Sequence, residues 1–190
     1  IVGEIYASGW LQGEPAGPVL VVCGKGNNGG DGLVIARLLV LRGEAVTVLL
    51  LPPGDALTGD ARANLARLPR AVRQVAGQPG RWAQQLAELA VEASLVVDAV
   101  LGTGVVPPLQ GEYVELCEAF GTLAAPVLAV DVPSGVAGDD GRVDPLAVRA
   151  DLTVTVGLPK LGLLLPPGRD FTGELRVVDE AMRDVPADGK

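Results

Sequence analysis

The chain has 190 residues, 48% of them hydrophobic and 3% aromatic, which is enough for one domain with an aliphatic core. Its formal net charge is −8 and it has no basic run, so neither nucleic acid nor an anionic membrane is an expected partner. The chain contains no histidine, which excludes histidine-based catalytic triads and the common zinc sites.

The cysteines and the apolar segments bear on the cellular compartment. Cys23 and Cys117 are too few and too far apart to indicate a disulfide framework. No apolar run approaches the ~20 residues that a membrane-spanning helix needs, and residues 1–6 lack the basic start of a signal peptide. We therefore expect a cytoplasmic protein that does not bind membranes.

The hydrophobic pattern predicts strands that alternate with helices. We interpret 1–190 as a single domain, in which 1–18 is a partial helix and linker, 19–178 the core and 179–190 a polar tail. Such alternation favours a three-layer α/β/α Rossmann-like sandwich with a mainly parallel sheet. The predicted strands are 19–23, 45–51, 71–76, 95–101, 127–131, 152–156 and 175–178, with Pro52-Pro53-Gly54 ending the second. The predicted helices are 31–42, 60–68, 81–90 and 111–123.

A glycine-rich turn follows the first predicted strand. Gly24, Gly26 and Gly29 fit the dinucleotide fingerprint, in which a helix N-terminus receives a pyrophosphate. An ordinary NAD site also has an acidic residue about 20 positions further on, where this chain reads Leu49-Leu50-Leu51. Asp31 would in addition repel a pyrophosphate at this place. The turn is therefore expected to bind something other than NAD in its usual position.

Two of the three asparagines in the chain, Asn27 and Asn28, are adjacent within this turn. One interpretation is that they only shape it, because Asn tolerates left-handed backbone and caps helices. The other is that their side-chain carbonyls, together with the Asp31 carboxylate, bind a hard cation or a polar ligand. The sequence pattern leaves both interpretations open.

Three acids, Asp31, Asp98 and Asp131, lie at or beyond the ends of predicted strands. Ligands of open α/β sheets bind beyond the carboxyl ends of the strands. Asp98 interrupts an apolar run, and a buried carboxylate without a partner would cost several kcal/mol. A bound cation would be one such partner, whereas capping of turns is the alternative for Asp98 and Asp131. Three acids on one rim favour a functional site.

Six longer blocks of sequence carry a resemblance to a known family. They are 26–32 (Gly-Asn-Asn-Gly-Gly-Asp-Gly), 97–104, 111–113, 130–135, 150–160 and 167–173. With these blocks the chain resembles the NAD(P)HX epimerases, the YjeF N-terminal domain family. The resemblance implies a Rossmann-type sandwich and an isomerase that interconverts the R and S forms of hydrated NADH and NADPH at C6. That reaction repairs damaged nicotinamide nucleotides.

The resemblance also implies a set of site residues. A potassium ion would be bound by Asn28, Asp98 and Ser134. Asp131 is the acid nearest to the matched substrate position, so we expect it to protonate the departing hydroxyl and to return a water. The substrate-binding residues would be Asn27, Asn28, Gly29, Gly30, Asp31, Gly102, Thr103, Gly104, Val105, Val106, Pro107, Pro108, Tyr113 and Asp131.

Two further side chains each have two interpretations. Lys160 either orients a carboxylate or a phosphate, or is a solvated loop lysine. Tyr113 either stacks on the nicotinamide or packs in the core at the start of a helical stripe. The sequence slightly favours core packing for Tyr113.

The expected partners follow from the same resemblance. Family members usually have a longer helix before the first strand, often part of a dimer contact, and here 1–11 alone corresponds to it, so a homodimer is one expectation. Many members continue into an NAD(P)HX dehydratase domain, so a fused or separate dehydratase is another. The rival interpretations are a non-catalytic nucleotide-binding scaffold and an ordinary NAD dehydrogenase. A scaffold would not need Asn28, Asp98, Asp131 and Ser134 together. An NAD dehydrogenase would need an acidic residue after the second strand to bind the ribose, and this chain has none there.

Overall fold

The computed structural model describes residues 1–11, 17–51, 56–57 and 59–179. Within them seven strands form one sheet in the order β3-β2-β1-β4-β5-β6-β7, with every neighbouring pair parallel. The strands are β1 (Val19–Cys23), β2 (Val46–Leu50), β3 (Arg73–Ala76), β4 (Leu95–Ala99), β5 (Val127–Val130), β6 (Leu152–Val156) and β7 (Glu174–Val178). The helices are α1 (Val2–Ala7), α2 (Asn27–Leu41), α3 (Gly59–Ala66), α4 (Trp82–Ala90) and α5 (Glu112–Phe120).

The three-layer Rossmann-like sandwich is thereby confirmed. Alternate residues of β1 pack on opposite sides: Val19 and Val21 join the apolar cluster beneath α1, α2 and α3, whereas Leu20 and Val22 join the cluster beneath α4 and α5. This two-sided burial explains why the strands read as continuous apolar runs. Cys23 and Cys117 are free and buried. None of the helices in the described ranges is long and apolar enough to cross a membrane.

The strand order reverses between β1 and β4, and α2 begins at that point. Helix α2 approaches the sheet closely because its first turns are rich in glycine. A Cβ on Gly32 would lie 2.6 Å from the Cβ of Ala99 and 2.9 Å from the Sγ of Cys23, and one on Gly29 would collide with the carbonyl oxygen of Gly24. These glycines therefore set the position of the α2 N-terminus over the crevice where open α/β sheets bind ligands.

The structure corrects several predicted boundaries. Helix α2 begins at Asn27, after the N-cap residue Gly26, and not at Asp31. Strand β4 ends at Ala99, before the predicted 101, since the Asp98 carboxylate accepts the Val100 N–H and turns the chain. The predicted strand 71–76 begins two residues too early, and the predicted helix 111–123 is four residues too long. The predicted helix 60–68 begins one residue and ends two residues too late, and the predicted strand 45–51 is too long by one residue at each end.

Strand β5 ends at Val130, one residue before the prediction. Asp131 has a φ of 67°, the one positive φ at a non-glycine residue in the described ranges, and this conformation ends the strand.

Some predictions lie outside the described residues: most of the linker at 13–18, the turn at 52–54 and the tail beyond 179. The division into a single domain stays a prediction.

Candidate functional site

The carboxyl ends of β1, β4 and β5 lie side by side in the sheet, and each leads into a predicted site segment. Strand β1 leads into the first turns of α2, which contain residues 27–31. Strand β4 leads into the loop 102–108, and β5 ends directly before Asp131. The structure therefore brings these three segments to one edge of the sheet.

A buried polar cluster lies where β4 ends. Asp98 is fully buried, and its Oδ1 accepts a hydrogen bond from the Ser134 hydroxyl at 2.7 Å while its Oδ2 accepts the Ser134 N–H at 2.8 Å. The Ser134 Oγ accepts the Leu101 N–H at 3.0 Å, and the Asn28 amide donates to the Leu101 carbonyl at 2.8 Å. The three residues that were predicted to bind a cation are thus joined through Leu101.

The charge of this cluster is not balanced by any basic side chain in the described part of the chain, where the ion pairs all lie elsewhere. Burial raises the pKa of Asp98 to about 6, although hydrogen bonds from Ser134 and Val100 lower it. The Oδ1 of Asn28 is buried and has no hydrogen-bond partner. Such an orphaned oxygen requires an explanation. Turn capping explains the Asp98 bonds but not this atom.

Amide, carboxylate, hydroxyl and carbonyl oxygens form the donor set that hard cations prefer. The described residues contain no group of three or more Cys, Asp or Glu side chains able to hold a metal ion. A cation here would therefore depend on the neutral oxygens of Asn28 and Ser134 besides the single carboxylate of Asp98. That composition fits a monovalent ion such as potassium.

Asp131 is held in one orientation by its Oδ1. This atom accepts hydrogen bonds from the Thr155 hydroxyl at 3.0 Å and the Lys160 ammonium at 2.6 Å, and a longer one from the Val156 N–H at 3.5 Å. Lys160 also donates to the Val156 carbonyl at 2.8 Å. The side chains of Asp131 and Lys160 are 19% and 22% exposed, so the ion pair is largely shielded from water.

A cavity of about 490 Å³ opens beside Asp131, a volume typical of sites for small molecules. Its lining is mainly apolar and comes from α1, α2 and the ends of β6 and β7. The charged side chains in its described lining are Asp31, Asp131, Lys160 and Asp179. The pKa of Asp31 is raised, first by its partial removal from water and then by the negative charges of Asp131 and Asp60.

Known proteins are similar to this chain in sequence and in fold. The model of the family described as YjeF-related protein N-terminus matches residues 7–162. The chain belongs to this family. A crystal structure of yeast ynu0 superposes with a TM-score of 0.69 at 27% identity, over 85% of this chain and 68% of that one.

Relatives with descriptive names are more similar in sequence. The bifunctional NAD(P)H-hydrate repair enzyme Nnr of Thermofilum pendens is 48% identical over 83% of this chain and 30% of its own length. The NAD(P)H-hydrate epimerase of Rhodopirellula baltica is 42% identical over 86% of this chain and 66% of its own. The NAD(P)H-hydrate epimerase of Limosilactobacillus fermentum is 37% identical over 87% of this chain and 76% of its own length. The chain thus spans about a third of the bifunctional relative and about two thirds of the Rhodopirellula baltica epimerase.

Within this member of the YjeF family, the structure separates the two interpretations of Asn27 and Asn28. Neither residue has left-handed backbone, and no side chain caps α2, whose N-cap is Gly26. Left-handed backbone and helix capping are therefore excluded as the reasons for the two asparagines, and ligand binding by their side chains stays a prediction. Asn27 is exposed at the start of the helix, whereas Asn28 is buried against Gly102.

Lys160 and Tyr113 also received two interpretations each. Lys160 orients a carboxylate, that of Asp131, and is not a solvated loop lysine. Tyr113 is half-buried and packs edge-to-face on Trp82, with ring centroids 5.4 Å apart, against the apolar cluster beneath α4 and α5. Core packing is thus confirmed for Tyr113, and it is not among the described residues that line the Asp131 cavity.

Two supporting residues were missed in the sequence. Thr155 orients Asp131 from inside the predicted strand 152–156, and the strand pattern gave no functional signal for it. Asp144 is buried and accepts the N–H groups of Leu109 and Leu146, which fixes the end of the loop 102–108. An acid followed by a proline, as in Asp144-Pro145, is a turn signal that identifies the second of these.

Proposed function

We propose that this protein is an NAD(P)H-hydrate epimerase, an isomerase that inverts C6 of hydrated NADH and NADPH. The observation that carries the proposal is the Asp131 carboxylate, fixed by Thr155 and Lys160 at the edge of a cavity with apolar walls. Two relatives that this chain matches over most of its length are named NAD(P)H-hydrate epimerases, which supports it.

The chemistry requires one carbon–oxygen bond to break and to form again. A proton is transferred to the C6 hydroxyl, which leaves as water with the bonding electron pair, while the ring nitrogen shares its lone pair with C6 to give a cation. Water then adds to the other face of C6 and loses a proton. Every atom and charge is restored, so the reaction needs no redox cofactor and no group transfer.

Asp131 is suited to the proton steps. Its Oδ1 is engaged by Thr155 and Lys160, and no described residue donates a hydrogen bond to its Oδ2. One oxygen of the carboxylate therefore anchors the side chain while the other can exchange a proton with the hydroxyl or water. The apolar part of the cavity would exclude bulk water from the cationic ring.

The phosphates of the nucleotide would lie along the rim formed by residues 27–31 and 102–108. Helix α2 begins at the N-cap Gly26 without a side-chain cap, so its first N–H groups are available to an anion. Asn27 is exposed at the start of this helix. In the loop 102–108, Thr103 lies close to Gly138: a Cβ added to Gly138 would be 3.3 Å from the Thr103 Cγ2.

A potassium ion held by Asn28, Asp98 and Ser134 is part of the proposal. When bound, it would neutralise the Asp98 carboxylate and fix the junction of β4, α2 and the segment after Asp131. Asn28→Ala should then abolish the rise in melting temperature that potassium causes relative to choline. Asn64→Ala is the matched control, because Asn64 also donates its amide to a backbone carbonyl, that of Gly30, but lies outside the cluster. Equal potassium effects in both variants would contradict the site.

The epimerase activity is tested by following the R-to-S ratio of NADHX by chromatography, with the uncatalysed rate subtracted. Asp131→Asn preserves shape but removes the proton exchange, and we expect a 10²–10⁴-fold slower reaction with little change in nucleotide affinity. Asp140→Asn, an exposed aspartate paired with Arg142, should behave like the parent. A parent protein that binds the nucleotide without changing the ratio would instead support the scaffold interpretation.

The partners and compartment remain predictions. A dehydratase, fused or separate, would fit a repair reaction in which one epimer is consumed, and the bifunctional names of several relatives support it. A homodimer, a cytoplasmic location and the absence of nucleic-acid and membrane partners are expected from the sequence. Light scattering of the purified protein would give the oligomeric state.

A further inference from the structure

We propose that Asp31 is a second proton-transfer group of the same cavity, so that one face of C6 is served by Asp31 and the other by Asp131. This inference rests on the proposed epimerase function. It assigns a catalytic role to a residue that the sequence analysis expected to bind the substrate or, together with Asn27 and Asn28, a cation.

The first argument is the position of Asp31 on α2. Asp31, Val34, Ile35 and Leu38 have the spacing i, i+3, i+4 and i+7, so they share one face of the helix, and all four line the cavity. This face forms one wall, with three apolar side chains and a carboxylate nearest the crevice between β1 and β4. This wall therefore offers the substrate ring an apolar surface with a carboxyl group at one end.

The second argument is that Asp131 belongs to a different wall. Asp131 follows β5, Val156 ends β6 and Val178 ends β7, and Lys160 lies beyond β6. These residues line the cavity from the ends of the strands, whereas Asp31 lines it from the helix. The two carboxyl groups therefore approach a shared space from separate secondary-structure elements.

The third argument is electrostatic. The pKa of Asp31 is raised by its partial removal from water and, next, by the charge of Asp131, with Asp60 in α3 as a further cause. The remaining charged side chains of the lining are Lys160, which pairs with Asp131, and Asp179. A proton is thus held more readily by Asp31 than by an aspartate in open water. A carboxyl group that keeps a proton more readily is suited to act as the acid of the pair.

The reaction itself needs two faces. Protonated Asp31 gives its proton to the C6 hydroxyl on its side, and water leaves with the electron pair of the bond. A water on the other side adds to the cation and passes its proton to the Asp131 carboxylate. The enzyme then holds its proton on Asp131 and is ready for the opposite epimer, so the two forms of the site catalyse the two directions.

The experiment measures inversion and oxygen exchange separately, in water enriched in ¹⁸O. Parent protein should invert NADHX and exchange its C6 oxygen. Asp31→Asn should invert at least 100-fold more slowly, yet still exchange the oxygen of one epimer, because the remaining acid can release and re-add water on its own face. Asp131→Asn should show the same loss of inversion but exchange the oxygen of the other epimer. Asp140→Asn, which changes an exposed aspartate outside the cavity lining that pairs with Arg142, should behave like the parent.

Three results would overturn the inference: parent-like inversion by Asp31→Asn, exchange of the same epimer by both variants, or loss of all exchange in Asp31→Asn with unchanged NADP affinity by calorimetry. If Asp31→Asn does not fold, Asp31→Ser carries the same comparison. If the parent itself does not exceed the uncatalysed rate, the epimerase proposal fails instead. The two failures are therefore distinguishable.

Discussion

The ion pair between Lys160 and Asp131 should stabilise the fold as well as orient the acid. The perturbation is Lys160→Met, which keeps the length and most of the apolar stem of the side chain but removes the ammonium. It deletes the 2.6 Å contact with Asp131 and the 2.8 Å hydrogen bond to the Val156 carbonyl. The Thr155 hydroxyl remains as a partner of the Asp131 carboxylate.

The expected magnitude follows from the partial burial of the pair. Exposed ion pairs contribute about 0.2–1 kcal/mol, whereas breaking a buried pair costs about 3–5 kcal/mol. With side chains near one-fifth exposed, the pair lies between these limits, at about 1–3 kcal/mol. The hydrogen bond to Val156 adds about 1 kcal/mol. We therefore expect Lys160→Met to lower the free energy of unfolding by about 2–4 kcal/mol in total.

A double-mutant cycle in urea isolates the pair from the other effects. The cycle combines Lys160→Met with Asp131→Asn, and its coupling energy should be about 1–3 kcal/mol. Asp140→Asn with Arg142→Met is the matched control, because that pair is 2.7 Å apart but well exposed, and its coupling should be much smaller. Additive effects at Asp131 and Lys160, within about 0.5 kcal/mol, would refute the reasoning.

Two further predictions concern stability. The pKa of Asp98 is raised from 3.8 to about 6, so the folded state binds this proton more tightly than the unfolded state. The stability that this proton contributes is present below about pH 4 and is lost as the pH rises through about 6. Without potassium, the free energy of unfolding should therefore fall by on the order of 3 kcal/mol between these pH values. Asp98→Asn should remove this part of the pH dependence. Gly32→Ala should lower the free energy of unfolding by roughly 1–3 kcal/mol, since the new Cβ would lie 2.6 Å from the Cβ of Ala99. Gly3→Ala, with nothing within 4 Å, is its control, and equal melting temperatures for these two variants would contradict the packing argument.

The sequence was sufficient to predict the layers of the fold. The run Val19–Cys23 is buried at every position, so its apolar pattern gave the strand with its correct bounds. The start of α2 was not predictable in the same way, because Asn and Gly are poor helix formers. Packing of Gly29 and Gly32 against β1 and β4 overrides that preference, and a sequence pattern carries no record of such close approaches.

The contacts that complete the site join residues distant in the chain. Asn28 binds the carbonyl of Leu101, 73 residues away, and Lys160 binds Asp131 across 29 residues. The pairing of β5 with β6 brings Thr155 beside Asp131, and the strand order decides this rather than any local pattern. Sequence reasoning could name Asp131 as an acid at a strand end, but not the groups that orient it.

The positive φ of Asp131 restricts which amino acids evolution or an engineer can place there. Gly, Asn and Asp tolerate this backbone conformation, whereas other side chains pay about 1 kcal/mol or more for it. Asp131→Glu, normally the gentlest exchange of one acid for another, would therefore combine a backbone penalty with a displaced carboxylate. Under the proposed function, aspartate is the residue that both tolerates this backbone conformation and can transfer the proton, so we expect few substitutions at position 131 to preserve both folding and activity.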